Sequence, residues 1–161
     1  MTPIRTILHP TDFSDHSAVA LRLAGSLARH YGARLIVLHA IAPSGFDLSR
    51  AIEEGVLDAP IDRAALEEKL GQLRAVDDEI RLETRLVEGD PVAEILREAD
   101  LVPCDLIVMG TRGRSEVSRV LVGSVAEAVV RRARCPVLTV KPPTRTLPYA
   151  QETSFLGTAK E

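Results

Sequence analysis

The stretch with the densest chemical content runs GTRGRSEVSRVLVGS, from Gly110 to Ser124. Gly110 and Gly113 follow the unbroken apolar run Leu106, Ile107, Val108 and Met109, and Gly123-Ser124 precede a helical pattern through Val125. Glycine lets a backbone approach an anion closely and take up positive φ, while a helix start offers unpaired N–H groups at the positive end of its dipole. Thr111 and Ser124 add hydroxyl groups, and Arg112 and Arg114 add positive charge. Such a set suits a polyphosphate better than an apolar ligand. The plainer reading is that Ser124 and Glu127 form a capping box, with glycine serving turn geometry alone. The stretch is not a Walker A loop, because it holds no lysine, and it does not match G-x-G-x-x-G.

His9, Asp12, Ser14 and His16 crowd together and invite a hydrolase triad. Triads are assembled from separate elements, however, and Ser14 reads better as a helix cap. His9 and His39 end buried strands, where nearby backbone satisfies them, and His30 is expected in solvent near a helix end. No paired carboxylates, HExxH or nucleophile elbow is present. With no base to orient water and no lysine to track a γ-phosphate, slow nucleotide hydrolysis is the most this set supports, and no catalytic residue is assigned.

These groups need a scaffold, and its pattern is strand then helix throughout. A strand around Ile4 to His9 turns through Pro10, Thr11 and Asp12 into a helix starting near Ser14. Ala18, Leu21, Ala24, Leu27, Ala28 and Tyr31 recur at helical spacing and are expected on one buried face. Leu35 to Leu38 lack polar alternation, as in a central strand buried on both faces. Residues 43–61 mix Pro43, Gly45, Gly55 and Pro60 and read as a long surface connection. A helix follows Asp62, with Leu66, Leu70, Leu73 and Val76 inward. Ile80, Leu82, Thr84 and Leu86 then alternate with Arg81, Glu83 and Arg85, describing a strand wet on one side at the sheet rim. Asp90-Pro91 starts a helix that stops before Pro103. Leu106 to Met109 form a further buried strand, a helix begins around Ser124, and Pro136 opens a last strand through Val140.

Five strands alternating with helices call for one open parallel α/β sheet, Rossmann-like, with right-handed crossovers and helices on both faces. Ligands then bind beyond the strand carboxyl ends, here Pro10 to Asp12, Ala40 to Ile41 and Gly110 to Gly113. The 161 residues suit one domain, with 45% hydrophobic but only 3% aromatic residues pointing to an aliphatic core. A net charge of -3 and few stacking rings disfavour nucleic acid. Cys104 and Cys135 stand far apart without ligand spacing, so they read as buried free thiols, and no metal site is assigned. No stretch approaches a membrane span or a leader, so the protein is read as cytoplasmic. Residues 142–161 lack periodicity and read as a flexible tail to a domain of residues 1–141.

The spacing Gly110, two residues, Gly113, nine residues, Gly123-Ser124 resembles the ATP-binding signature of the universal stress protein family. ILHPTDFS (7–14), LIVLHAI (35–41), GDPVAEIL (89–96), CDLIVMGTRG (104–113) and LVGSVAEAVVRRARCPVLTV (121–140) resemble that family in the same order. The resemblance implies strand order 3-2-1-4-5, a homodimer through the last strand (Val137, Leu138, Thr139, Val140), and ATP, with magnesium, as ligand. By position, the backbone of Gly110, Thr111, Gly113, Ser124 and Val125 would hold ribose and phosphates, Asp12 the nucleoside, and the Ala40 main chain the adenine edge. Pro10, Met109, Arg112, Arg114 and Gly123 complete the implied site, and the family supplies the regulatory role in stress. Asp12 also has a plain reading as a turn residue, and Glu116 would oppose phosphate unless turned to solvent or a metal ion. Two other functions stay open: a nucleotide-free dimeric interaction module, and an adenylyl transferase whose catalytic motifs are not found. Gly113→Val is expected to expel nucleotide from a folded domain, because a branched Cβ blocks backbone approach; calorimetry with ATP on the folded variant, showing undiminished affinity, would remove Gly113 from the site.

Overall fold

The computed structural model describes residues 3–42, 62–74, 79–111 and 123–141. The expectations for the 43–61 connection, Val76, Arg112, Gly113, Arg114, Glu116 and the 142–161 tail lie outside the described residues. The chain alternates β1 (Thr6–Pro10), α1 (Asp15–Tyr31), β2 (Arg34–Ile41), α2 (Arg63–Arg74), β3 (Arg81–Glu88), α3 (Pro91–Leu101), β4 (Leu106–Gly110), α4 (Ser124–Arg132) and β5 (Val137–Val140). All strand pairs are parallel, and the order is β3-β2-β1-β4-β5. The doubly wound architecture expected from the sequence is the one observed.

Side-chain alternation sorts the apolar residues into two cores, one on each sheet face. Ile7, Leu35, Val37 and Val108 pack with Ala24 and Ala28 of α1 and Leu70 of α2. Leu8, Ile36, Leu38, Ile107 and Met109 pack with Ile95 of α3 and Ala126 and Val129 of α4. The consecutive apolar runs in β1, β2 and β4 are thus explained by burial on both sides.

Helix α1 is stopped at both ends by local chemistry. Ser14 Oγ accepts from the Ser17 amide at 3.2 Å, Asp15 complements the helix dipole, and Gly32 closes the helix at φ 62°. Its buried track runs Ser17, Ala20, Ala24 and Ala28, with Leu21 and Leu27 packed alongside. Two residues depart from the expected face: Ala18 is exposed and so is Tyr31, which turns edge-on to His30 at 4.9 Å. Ala18 is rotated off the Ser17–Ala20 track, and Tyr31 sits in the last turn, where Gly32 redirects the chain.

Strand β3 is an edge, as its alternation predicts, but its polar face is covered by charge. Arg85 pairs with Glu98 of α3, a carboxylate only 4% exposed, and Arg34 of β2 donates to Glu83 at 3.2 Å. At the far rim, Pro136 precedes β5 and its carbonyl accepts from the Ile107 amide.

The small side chains of α1 let it sit close on β4. A Cβ at position 110 would meet the His16 carbonyl carbon and oxygen at 3.1 Å and the His16 Cβ at 3.3 Å. Glycine is therefore needed there for helix-to-strand packing. Gly110→Val is expected to cost about 1 to 3 kcal/mol by overpacking, read as a lower midpoint in urea unfolding; an unchanged midpoint would show that α1 yields without strain.

Candidate functional site

The sheet reverses direction of growth between β1 and β4, and there the two strands part. Their pairing covers Ile7 with Leu106 and Leu8 with Ile107. Beyond that, the Val108 carbonyl accepts from His9 Nδ1–H at 2.8 Å instead of from a strand amide. His9 is fully buried, so desolvation dominates its protonation and pulls its pKa from 6.5 down to about 4, with the Val108 bond and the Asp12 charge opposing. The imidazole is neutral, with its proton on Nδ1, and its Nε2 meets no partner among the described residues.

The edges of the resulting crevice follow from strand alternation. Leu38 O accepts from the Thr11 amide, so the main chain of Leu38 faces β1. Ala40, two residues on, presents its main chain to the same side, after β1 has ended at Pro10. Across the gap, Ile107 and Thr111 direct their amides to Pro136 O and Val140 O on the β5 side, which leaves Gly110 facing β1. Met109 buries its side chain in the α3/α4 core while its strand ends at the crevice.

Between these edges lies the turn from Pro10 to Ser14. Thr11 is buried and shares a 2.6 Å hydrogen bond with Ser17 Oγ, and its Oγ1 accepts from the Phe13 amide. Asp12 Oδ1 accepts from the Ser14 amide at 3.0 Å and from Ser14 Oγ at 2.6 Å. Asp12 is thus a turn-forming residue at the crevice mouth, and the turn reading of the sequence is realised. Phe13 takes φ 61°, rare for a residue with a Cβ. It is held by the Asp12–Ser14 bonds, by its ring against His39 at 4.6 Å, and by His39 Nδ1–H donating to Thr11 O at 2.7 Å. Sequence reasoning missed Phe13 and His39 as shapers of this turn; only the side-by-side placement of β1 and β2 brings them together. It did expect backbone to satisfy His9 and His39, and the partners are the Val108 and Thr11 carbonyls. The hydrolase reading is not realised, since Ser14 bonds Asp12 directly and His9 is committed to β4.

The far side of the crevice is the start of α4. Gly123 is its N-cap, at φ -71°, with no side-chain bond to the helix amides. The capping box is not formed: Ser124 is the first helical residue and exposed, and Glu127 pairs with Arg131 at 2.6 Å. The Gly123 amide donates to the Thr111 carbonyl, which seats the helix start directly beside the end of β4. Neither Gly110 nor Gly123 has positive φ, so that reason for glycine does not hold at these two positions. The described residues therefore bring together Pro10, Thr11, Asp12, Ala40, Met109, Gly110, Thr111, Gly123, Ser124 and Val125 from three strand ends and one helix start. Among the described residues no three His, Cys, Asp or Glu side chains cluster to hold a metal ion. Nor is any described helix long and apolar enough to cross a membrane.

A doubly wound sheet with a crevice at its reversal point defines a class of α/β proteins that seat ligands at the strand carboxyl ends. Within that class the chain belongs to the universal stress protein family, whose model matches residues 3–141. It is similar to the universal stress protein MJ0531 of Methanocaldococcus jannaschii, 35% identical over 141 residues, covering 86% of this chain and 83% of the relative. Among solved structures it resembles a universal stress protein in complex with cAMP, at TM-score 0.60 and 32% identity over 87% of this chain and 98% of that one. It also resembles the universal stress protein of Archaeoglobus fulgidus in complex with dAMP, at TM-score 0.57 and 26% identity over 88% of this chain and 100% of that one.

The buried His9 gives the fold an acid sensitivity of known sign. Above its unfolded value of 6.5 the ring is neutral in both states and adds no pH dependence. As pH falls toward about 4 the unfolded chain takes up a proton that the fold refuses, so stability drops by about 3 kcal/mol in all and then levels. His9→Asn, which keeps a donor for Val108, is expected to lose correspondingly less stability over that window in urea titrations; parallel losses in both proteins would remove His9 as the cause.

Proposed function

We propose that the chain binds ATP, with magnesium, in the crevice between β1 and β4 and serves as a nucleotide-dependent regulator in stress response. The observation that carries the reading is the start of α4: a helix N-terminus without a side-chain cap, seated beside Thr111 at the reversal point of the sheet. Amides at such a terminus are oriented for phosphate oxygens. Gly110, Thr111, Ser124 and Val125 would offer backbone to ribose and phosphates, together with Gly113, while Arg112 and Arg114 would supply charge. Asp12 would accept from the ribose or the adenine amino group, and the Ala40 main chain would meet the adenine edge, with Pro10, Met109 and Gly123 forming the walls. The cAMP and dAMP complexes of similar proteins support adenine as the base. Residues 1–141 would make up the nucleotide-binding domain and 142–161 an appended tail, in a cytoplasmic protein.

Turnover in this reading is slow at most, because His9 and His39 are each committed to a main-chain carbonyl. A homodimer would form through β5, an edge strand whose Leu138 is 37% exposed. That same exposed edge favours a second reading, a nucleotide-free dimeric module whose β5 surface is its function.

Calorimetry separates the two. The full chain is expected to bind ATP, and Asp12→Asn, which retains an oxygen to accept from Ser14, is expected to weaken binding by about 1 to 3 kcal/mol. No heat with ATP in the wild-type chain, and no nucleotide extracted from freshly purified protein, would leave the module. Unchanged affinity in Asp12→Asn would remove Asp12 alone.

A further inference from the structure

Cys104 leads into β4 and Cys135 leads into β5, at the ends of these strands away from the crevice. The register pairs Ile107 with Val137. Counting back along the two strands sets Cys135 level with Asp105, one residue from Cys104. Neighbouring strands lie roughly 4.8 Å apart and one residue along a strand adds roughly 3.3 Å, a diagonal of about 5.8 Å that falls within the Cα separation of about 4.4 to 6.8 Å that a disulfide spans. Both side chains pack on the α3/α4 core cluster. The two thiols are close enough to influence each other's ionisation, and Cys104 Sγ–H donates to the Leu106 carbonyl at 3.3 Å. Each is free and half-buried, so a small oxidant can reach the pair.

We propose that Cys104 and Cys135 form a dithiol site that a peroxide closes to an intramolecular disulfide and a thiol reductant reopens. The Cys135 sulfur attacks hydrogen peroxide, breaking the O–O bond to give a sulfenic acid and one water. The Cys104 sulfur then displaces that hydroxyl, forming the S–S bond and releasing a second water. In sum, two thiols lose two protons and two electrons, and the peroxide is reduced to two waters.

The Cys104 Sγ–H is held on the Leu106 carbonyl, which leaves the Cys135 sulfur to attack first. Burial pushes the Cys104 thiol up to about 12, with the neighbouring Cys135 adding to the effect, and burial also raises Cys135. Thiolate is scarce at neutral pH, so the site closes slowly and answers sustained rather than brief oxidant exposure. The bond would enclose β4, the stretch from Gly110 to Ser124, and α4 in one covalent loop. Closing that loop restricts the unfolded chain and leaves the crevice end of the sheet untouched.

The test exposes the full chain to excess hydrogen peroxide, followed by thiol counting, non-reducing peptide mapping and thermal unfolding. The expected result is loss of both thiols, a Cys104–Cys135 linked peptide from a single chain, recovery with dithiothreitol, and a Tm raised by several degrees. Cys104→Ser is expected to stop at the sulfenic acid of Cys135 and to show no such rise in Tm. Two thiols still titratable after prolonged exposure, sulfinic or sulfonic acids without a linked peptide, or a bond only between chains would each overturn the proposal.

Discussion

The structure depends on how β1 and β4 separate. A parallel sheet that grows in both directions from one central strand must part where the growth reverses, and the parting strips main-chain groups of their ladder partners. The Val108 carbonyl is such a group, and His9 supplies its partner from within β1 itself. A leucine or valine at position 9 would fill the same space but leave the carbonyl unsatisfied, a loss on the order of 1 to 3 kcal/mol. The histidine answers that need at a cost in protonation, since a ring with no solvent exposure must stay neutral. The opening of the crevice and the acid sensitivity of the fold thus have one origin.

The turn from Pro10 to Ser14 applies the same solution one strand over. As β1 ends, the Thr11 carbonyl is satisfied by His39 from β2, while Asp12 binds Ser14 and thereby orders the cap of α1. The left-handed Phe13 is the conformational cost of leaving the strand and entering the helix in so few residues. Helix α1 can then lie close on β4 because its facing residues are Ser17, Ala20 and Ala24 and the strand ends in Gly110. Small side chains in one helix therefore fix the depth at which the crevice is cut.

The sequence made legible whatever depends on local period and local caps. Doubly apolar runs announced β2 and β4, alternating charge announced the rim strand β3, and Ser14 and Asp90 marked helix starts that the structure confirms. Contacts between elements distant in the chain were illegible, because no periodicity encodes them. Cys104 and Cys135 read as buried free thiols; they are half-buried, and only the β4–β5 register brings them to neighbouring positions. Gly110 read as a phosphate-approach residue, and the His16 backbone that a Cβ there would meet is a further demand for glycine that no local pattern announces. The Ser124–Glu127 box illustrates the limit of a local motif: the helix starts one residue early, with Gly123 as the cap, and Glu127 pairs with Arg131 instead.

That lost cap distinguishes α4 from the starts of α1 and α3. Ser14 and Asp90 each spend a side-chain oxygen on an amide of the helix they begin. Glycine at position 123 has no oxygen to spend, and the Ser124 hydroxyl lies one residue too late to reach back across the turn. The backbone around Gly123 is instead anchored from behind, by its own amide on the Thr111 carbonyl. In the proposed reading, an end fixed in this way would offer its dipole and its donors to an anionic group with little reorganisation.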